Sequence, residues 1–232
     1  MCKFASGIIG YKHKKVYFDI DIDSHSELME KLKIKDETEW PSFVKFEITP
    51  KDGDVFNHEK SNWEYKVDSD HSQDRLPDWY DEKKAKEQAW EKVQEVFKAR
   101  FLVNKKIQEI KEGRWYLKNS NVEKMLGTSK ANLWGTSQVG EMRETSQVGV
   151  MRGTSQVGEM RGTSRVGEMW ETSQVGVMWE TSQVGVMRGT SRVGVMRGTS
   201  QVEKLNDQAF AIREFKIIVS DKKYQIEYAN KA

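Results

Sequence analysis

"TSQVGVMWETSQVGVMRGTSRVGVMRGTSQV", residues 172–202, restates one nine-residue phrase almost without change. Eight complete copies run over residues 135–206 in the register G/E-T-S-Q/R-V-G-E/V-M-R/W. Thr, Ser, Val, Gly and Met hold their columns, and the other four columns switch between unlike residues. A column that accepts both Glu and Val is wet, because an unpaired buried carboxylate is costly. The core must therefore come from Val and Met, with Ser beside them.

A Gly in every copy, together with β-branched Thr and Val, opposes a helix of this length. Strand geometry fits. Ser and Val lie two apart and share a face, whereas Met comes three after Val, so the chain must bend between them. The Gly of that interval (Gly140, Gly149, Gly158, Gly167, Gly176, Gly185) is placed to supply the bend. Nine residues are too few to enclose a packed core. Two copies make an 18-residue circuit, one coil of a β-solenoid in which Val stacks on Val and Met on Met at a spacing of ~4.8 Å. About five coils are expected on this count.

Outward from the repeat, two worn copies occupy residues 118–126 and 127–134, and the last full copy, "GTSQVEKLN", is also worn, as capping copies tend to be. Residues 1–113 read as a small α+β domain. "KFASGII" and "KKVYFDIDI" alternate as strands, joined by a turn at residues 10–15. A short helix follows, with Ser24 as its cap and Glu27 three residues on. "SFVKFEIT" points Val44, Phe46 and Ile48 to one side, and "NWEYKVD" is a further strand. A helix over residues 81–102 carries Trp90, Val93, Phe97 and Phe101 on one face. Residues 114–206 are the solenoid, and 207–232 read as a β cap of two strands with a turn at residues 220–222.

The bulk numbers exclude little. The chain of 232 residues has formal charge +2, 37% hydrophobic and 32% charged residues, so global charge gives no reason for strong nucleic-acid binding. One cysteine, Cys2, makes no internal disulfide, and no apolar run approaches a membrane span of ~20 residues. The expected address is the cytoplasm.

The opening "CKF", "DSHSEL" at 23–28, "FVKFEITP" at 43–50 and "LPDWYDEKKAKE" at 76–87, followed by near-identical short repeats, resemble a group of proteins from phages and prophage-bearing bacteria. There a similar N-terminal domain precedes repeats of the "NATI" or "SQVG" kind. The resemblance covers most of the chain and implies a phage-related, intracellular protein in a host cytoplasm. It carries over no catalytic residue.

Candidate sites are few. Asp19, Asp21 and Asp23 share a strand face with His25 just beyond, a set able to hold a divalent cation, yet a solvated face running into a helix cap explains it more simply. His13, His58 and His71 are scattered. Calcium-binding nonapeptides need Asp, which the motif lacks, and the Thr column is flanked by residues too bulky for an ice-binding array. No metal and no cofactor is expected, and no catalytic set is legible; the chain reads as non-enzymatic.

The ninth column is the strongest binding candidate: Arg143, Arg152, Arg161, Trp170, Trp179, Arg188 and Arg197. With two repeats per coil it splits into two ladders on opposite sides, Trp170 and Trp179 being flanked by Arg161 and Arg188 respectively. Nearby Glu141, Glu144, Glu159, Glu168, Glu171 and Glu180 neutralise part of it. The expected function is a rigid scaffold that presents this surface to a protein partner, a host defence factor by analogy with phage proteins. The alternative is nucleic-acid binding through the Arg/Trp ladders. A homo-oligomer is compatible with either, and a membrane partner with neither.

Overall fold

A computed structural model describes residues 5–10, 15–22, 24–34, 43–68, 76–213 and 216–219. The chain divides into two compact units, 1–99 and 100–232.

The first unit holds strands β1 (Ala5–Gly10), β2 (Lys15–Phe18), β3 (Phe43–Pro50) and β4 (Trp63–Val67) in an antiparallel sheet of order β2-β1-β3-β4. Val44, Phe46 and Ile48 point into the core as their alternation requires. Helix α1 (His25–Leu32) is capped by Ser24, whose hydroxyl accepts the Glu27 N–H at 3.2 Å. Helix α2 spans Glu82–Arg100 and buries the narrow stripe Ala85, Ala89, Val93 and Phe97. Trp90 lies half-buried beside that stripe, its ring 6.0 Å from Phe97, and Phe101 falls beyond the helix altogether. The expected turn at 10–15 lies largely outside the described residues.

The second unit is the β-solenoid. Each nonapeptide gives one five-residue strand, from the Gln/Arg to the Met column, and one corner. Two parallel sheets result. One runs β5 (Phe101–Val103), β7 (Arg114–Lys118), β9 (Lys130–Trp134), β11 (Gln147–Met151), β13 (Arg165–Met169), β15 (Gln183–Met187), β17 (Gln201–Leu205). The other runs β6 (Lys106–Ile110), β8 (Asn121–Met125), β10 (Gln138–Met142), β12 (Gln156–Met160), β14 (Gln174–Met178), β16 (Arg192–Met196), β18 (Phe210–Arg213). Val139 pairs with Val157 and Met142 with Met160, two copies further along the chain, so like stacks on like. Between the sheets, Val and Met of every copy from 135 to 197 are at most 2% exposed. Each such side chain contributes roughly 1.5–3 kcal/mol by burial.

The coil begins before the repeat is visible. Phe101 lies opposite Tyr116 and Lys106 opposite Asn121, so the first turn is shorter than the two-copy circuit of the later ones. Parallel geometry thus starts at Phe101, ahead of residue 114 where the repeat suggests it, and seven strands stack in each sheet where about five coils were expected. Ile110 and Leu117 stand in the buried slots that Met fills later. At the far end β19 (Lys216–Val219) pairs antiparallel with β18, Arg213 opposite Lys216. The turn expected at 220–222 and the second expected cap strand lie outside the described residues.

The bend between Val and Met is real, but its glycine does not take the left-handed φ that would require glycine. It is required by close approach: a Cβ on Gly158 would stand 2.5 Å from the Gly140 carbonyl oxygen, and one on Gly176 would stand 2.5 Å from that of Gly158. The left-handed residue is in the first column. Gly153, Gly162 and Gly189 take φ of 66–71°, and Glu144, Glu171 and Glu180 take 57–58°. A side chain there costs about 1 kcal/mol or more. Each acid offsets the strain by reaching one coil back. Gly127 N–H donates to Glu144, Gly153 to Glu171, Gly162 to Glu180 and Gly189 to Asp207, at 2.5–2.9 Å. These charge-assisted bonds satisfy corner donors.

Along one corner glycine and acid therefore alternate as Gly127, Glu144, Gly162, Glu180, Gly198, and along the other the alternation Gly153, Glu171, Gly189, Asp207 follows a first glycine, Gly135; no two acids are successive. Two acids in succession would repel at strand spacing. Thr locks the same corner, its hydroxyl donating to the first-column carbonyl of the coil before, as Thr181 does to Gly162 at 3.0 Å. From Thr163 to Thr199 the Thr hydroxyls are thus tied to backbone at a corner. The Ser column is buried; the Ser137 and Ser182 hydroxyls donate to the Trp134 and Trp179 carbonyls at 2.8 Å, and the backbone N–H groups of Ser146, Ser164 and Ser173 donate to the equivalent carbonyl across the same turn.

Gly158→Ala is expected to destabilise the protein markedly in urea denaturation, although its φ suits alanine; unchanged stability would refute the close-approach account. Excision of residues 144–161 removes one coil and leaves each remaining corner acid over a glycine. Excision of 153–170 also keeps every strand in register, but brings Glu180 onto Glu144. The second variant should be the less stable by about 1 kcal/mol, the scale of like charges set directly opposite one another, and equal stability would sink the alternation rule.

Candidate binding surface

The ninth column follows each strand at a corner, and the sheet topology sorts it into two ladders. After β10, β12, β14 and β16 come Arg143, Arg161, Trp179 and Arg197; after β11, β13 and β15 come Arg152, Trp170 and Arg188. The opposite-sides expectation holds. The flanking assignment is corrected: with two copies per turn, Trp170 sits between Arg152 and Arg188, and Trp179 between Arg161 and Arg197.

Both indoles are covered on their faces. The Arg152 and Arg188 guanidinium carbons lie 5.6 and 4.7 Å from the Trp170 ring centroid. Those of Arg161 and Arg197 lie 5.4 and 4.6 Å from that of Trp179. Each cation–π contact contributes about 0.5–1 kcal/mol at such exposure. The ladders hold themselves together, and base stacking on the Trp faces would have to displace arginine first.

The seventh column decides how each Arg or Trp is satisfied. Glu141 bridges Arg143 at 2.7 Å and Arg161 at 3.1 Å, and Glu159 holds Arg161 at 2.8 Å. The hydrogen bond from Arg143, with the further charge of Arg161, holds the Glu141 carboxyl below the usual glutamate range despite partial burial. Trp170 Nε1 donates to Glu168 at 2.8 Å. Where the column carries Val, no such partner exists: Trp179 Nε1 and Arg188 Nε are buried without a hydrogen bond among the described residues.

The acids are distributed one to a copy. From 135 to 188 each copy carries its acid in the first column or the seventh but never in both. The copy at 189–197 carries none, and has Arg192 as well as Arg197. Arg192 reaches the Gln174 side chain at 2.7 Å.

The other candidates resolve into structure. His25 Nε2 bonds the Phe46 carbonyl at 2.8 Å and its Nδ1 lies 3.2 Å from Asp68, while Asp19 holds Lys31 at 2.5 Å and caps the Asp21 N–H. Asp23, Cys2, His13 and His71 lie outside the described residues. His58 stacks on Phe97 at 3.7 Å, and burial lowers its pKa. Among the described residues no group of three His, Cys, Asp or Glu side chains is placed to hold a metal. A cleft of about 320 Å³ in the first unit is lined by Trp63, Tyr65, Trp90 and three lysines, but Glu64 lines it too, Lys86 is paired with Glu82 and Lys51 donates to the Ser61 carbonyl. Among the described residues no helix is long and apolar enough to cross a membrane.

No family model matches the chain, and no curated protein or solved structure does either.

Trp179→Arg sets three guanidinium groups in succession with Val177 beneath, and should cost about 1–2 kcal/mol from two lost cation–π contacts. Trp170→Arg leaves Glu168 free to pair as Glu159 pairs with Arg161, so it should cost clearly less. Chemical denaturation of both variants checks the order, and the reverse order would overturn the role given to column seven.

Proposed function

We propose that the protein is a non-enzymatic binding module whose solenoid presents a regular, rigid surface to a macromolecular partner. The observation that carries this reading is the strict division of the repeat. The interior columns are uniform and buried, while the chemical variety lies in columns that touch solvent. A scaffold alone would be served by repetition of one neutral phrase in every outward position as well as every inward one. A protein partner suits the composition of that surface, since Trp and Arg dominate protein-binding hot spots. Nucleic-acid binding, the alternative, is served less well: the indole faces are already occupied, and much of the Arg ladder is neutralised within the chain.

The resemblance to phage proteins makes the partner a host protein met in the cytoplasm, a defence factor being the reading by analogy. Affinity capture from a bacterial lysate would identify it, and calorimetry with Trp170→Arg and Trp179→Arg would then locate the contact. At least one variant should bind about tenfold more weakly, a loss of about 1.4 kcal/mol. Full affinity in both, with melting showing both folded, would move the contact away from the solenoid ladders and defeat this reading.

A further inference from the structure

The face formed by the even-numbered strands from β10 to β16 changes character halfway along. Its first half carries Glu141 and Glu159 over the interior methionines, and these neutralise Arg143 and Arg161. Its second half, β14 and β16, carries Val177 and Val195 in the same column, paired in register. Both valines are half-buried, as is Trp179, while Arg192 and Arg197 are exposed. No carboxylate stands on β14 or β16. Glu159 stands in register with Val177 from the neighbouring β12 but is bonded to Arg161 at 2.8 Å, and Glu180 sits on the corner, turned back to the Gly162 N–H at 2.5 Å. The result is an apolar strip of two valines and an indole edge, bordered by two arginines without an ion-pair partner among the described residues.

We propose that this half-face, β14–β16, is the docking site for an acidic segment of a partner protein, in which carboxylates are interspersed with apolar side chains. The proposal rests on the binding-module reading and names the chemistry of its partner. Carboxylates would meet Arg192 and Arg197, and apolar side chains would cover Val177 and Val195. Charge complementarity selects this occupant. Stacked bases find no free indole face here, because Arg161 and Arg197 cover Trp179 on both sides. A second copy of this chain would have to bring an unpaired acidic strip, and the corresponding half-face at β10–β12 has its acids already bonded to arginine.

The repeat supplies its own control. Val177→Glu with Val195→Glu copies the residues present at 141 and 159, so the fold should tolerate it. The first change also places a carboxylate two residues before Trp179, as Glu168 stands two before Trp170. The new carboxylates also stand in register with Glu159 and with each other, so melting temperature should fall slightly while the protein stays folded, and the patch loses its charge and its apolar strip together.

The probe is a fluorescent synthetic peptide that mixes Glu and Leu, titrated into the full chain at low salt and followed by anisotropy. Wild-type protein should bind it, salt should weaken binding, and the double variant should bind at least about tenfold more weakly. A peptide with Lys in place of Glu should not bind. Absence of binding at low salt overturns the acidic occupant. Undiminished binding by the folded double variant overturns the site, and leaves the broader reading to the Trp variants and the captured partner. Tighter binding of an oligothymidylate than of the peptide, or self-association that the double variant abolishes, overturns it in favour of a nucleic acid or a second copy.

Discussion

Every column of this solenoid is its own neighbour. Parallel in-register pairing sets each residue against its counterpart two copies on, at about the 4.8 Å spacing of adjacent strands. Apolar columns gain from that rule, since Val on Val and Met on Met leave no gap and hide no charge. Charged columns suffer from it, because like charges would stand directly over one another. The exposed half of the sequence is arranged around that constraint. Acids alternate with glycine at the corners, and Glu bridges successive Arg on the faces. Trp separates Arg from Arg further along both ladders.

The constraint also accounts for the two roles of glycine. In the sixth column it permits one coil to lie against the carbonyl of the one before, and no other residue fits between Gly140 and Gly176. In the first column it permits a left-handed corner, and there an acid can replace it because a backbone N–H waits one coil back. One glycine is invariant and the other is not for that reason. The worn copies depart where the stack ends: Glu203 takes the sixth column in β17, whose Val202 and Leu205 are only partly buried.

Much of this was legible from the residues. Column constancy separated inside from outside, the mismatch between Ser-Val and Val-Met spacing located the bend, and the size of a core demanded two repeats per turn. Strand β3 and the Ser24 cap followed from local patterns. What escaped lay at longer range. The segment from Phe101 to Leu117 shares no phrase with the repeat, so only its pairing reveals the shortened first coil. The Arg–Trp–Arg order depends on neighbours two copies apart, whereas reading along the chain suggests neighbours in adjacent copies. The corner acids look like surface variation until the donors opposite them are placed. Asp19, Asp21 and His25 near α1 carry a metal-like pattern that a turn hydrogen bond, the Lys31 ion pair and a carbonyl contact absorb.

The unequal lengths of the early turns bear on how the chain finds its register. Among the middle coils a slip of one full turn is silent to the core, for Val139 would meet Val175 as well as it meets Val157. Only the outer columns register that error, through the order of acid and glycine at the corners and of Arg and Trp along the ladders. The shortened turns at the start leave no such choice, because each fits only one successor: Phe101 meets Tyr116, Tyr116 meets Asn132, and Gln147 meets Lys130. They carry unique fastenings as well. Phe101 stacks on Tyr116 at 4.6 Å and Tyr116 on Trp134 at 6.0 Å, while Asn119 and Asn132 side chains accept the N–H groups of Thr136 and Val150. Assembly seeded there would proceed towards the C-terminus with its register set from the first rung, in the same direction as synthesis. In such an assembly the irregular coils would be the ruler's zero mark, and the near-perfect repeats would copy the step.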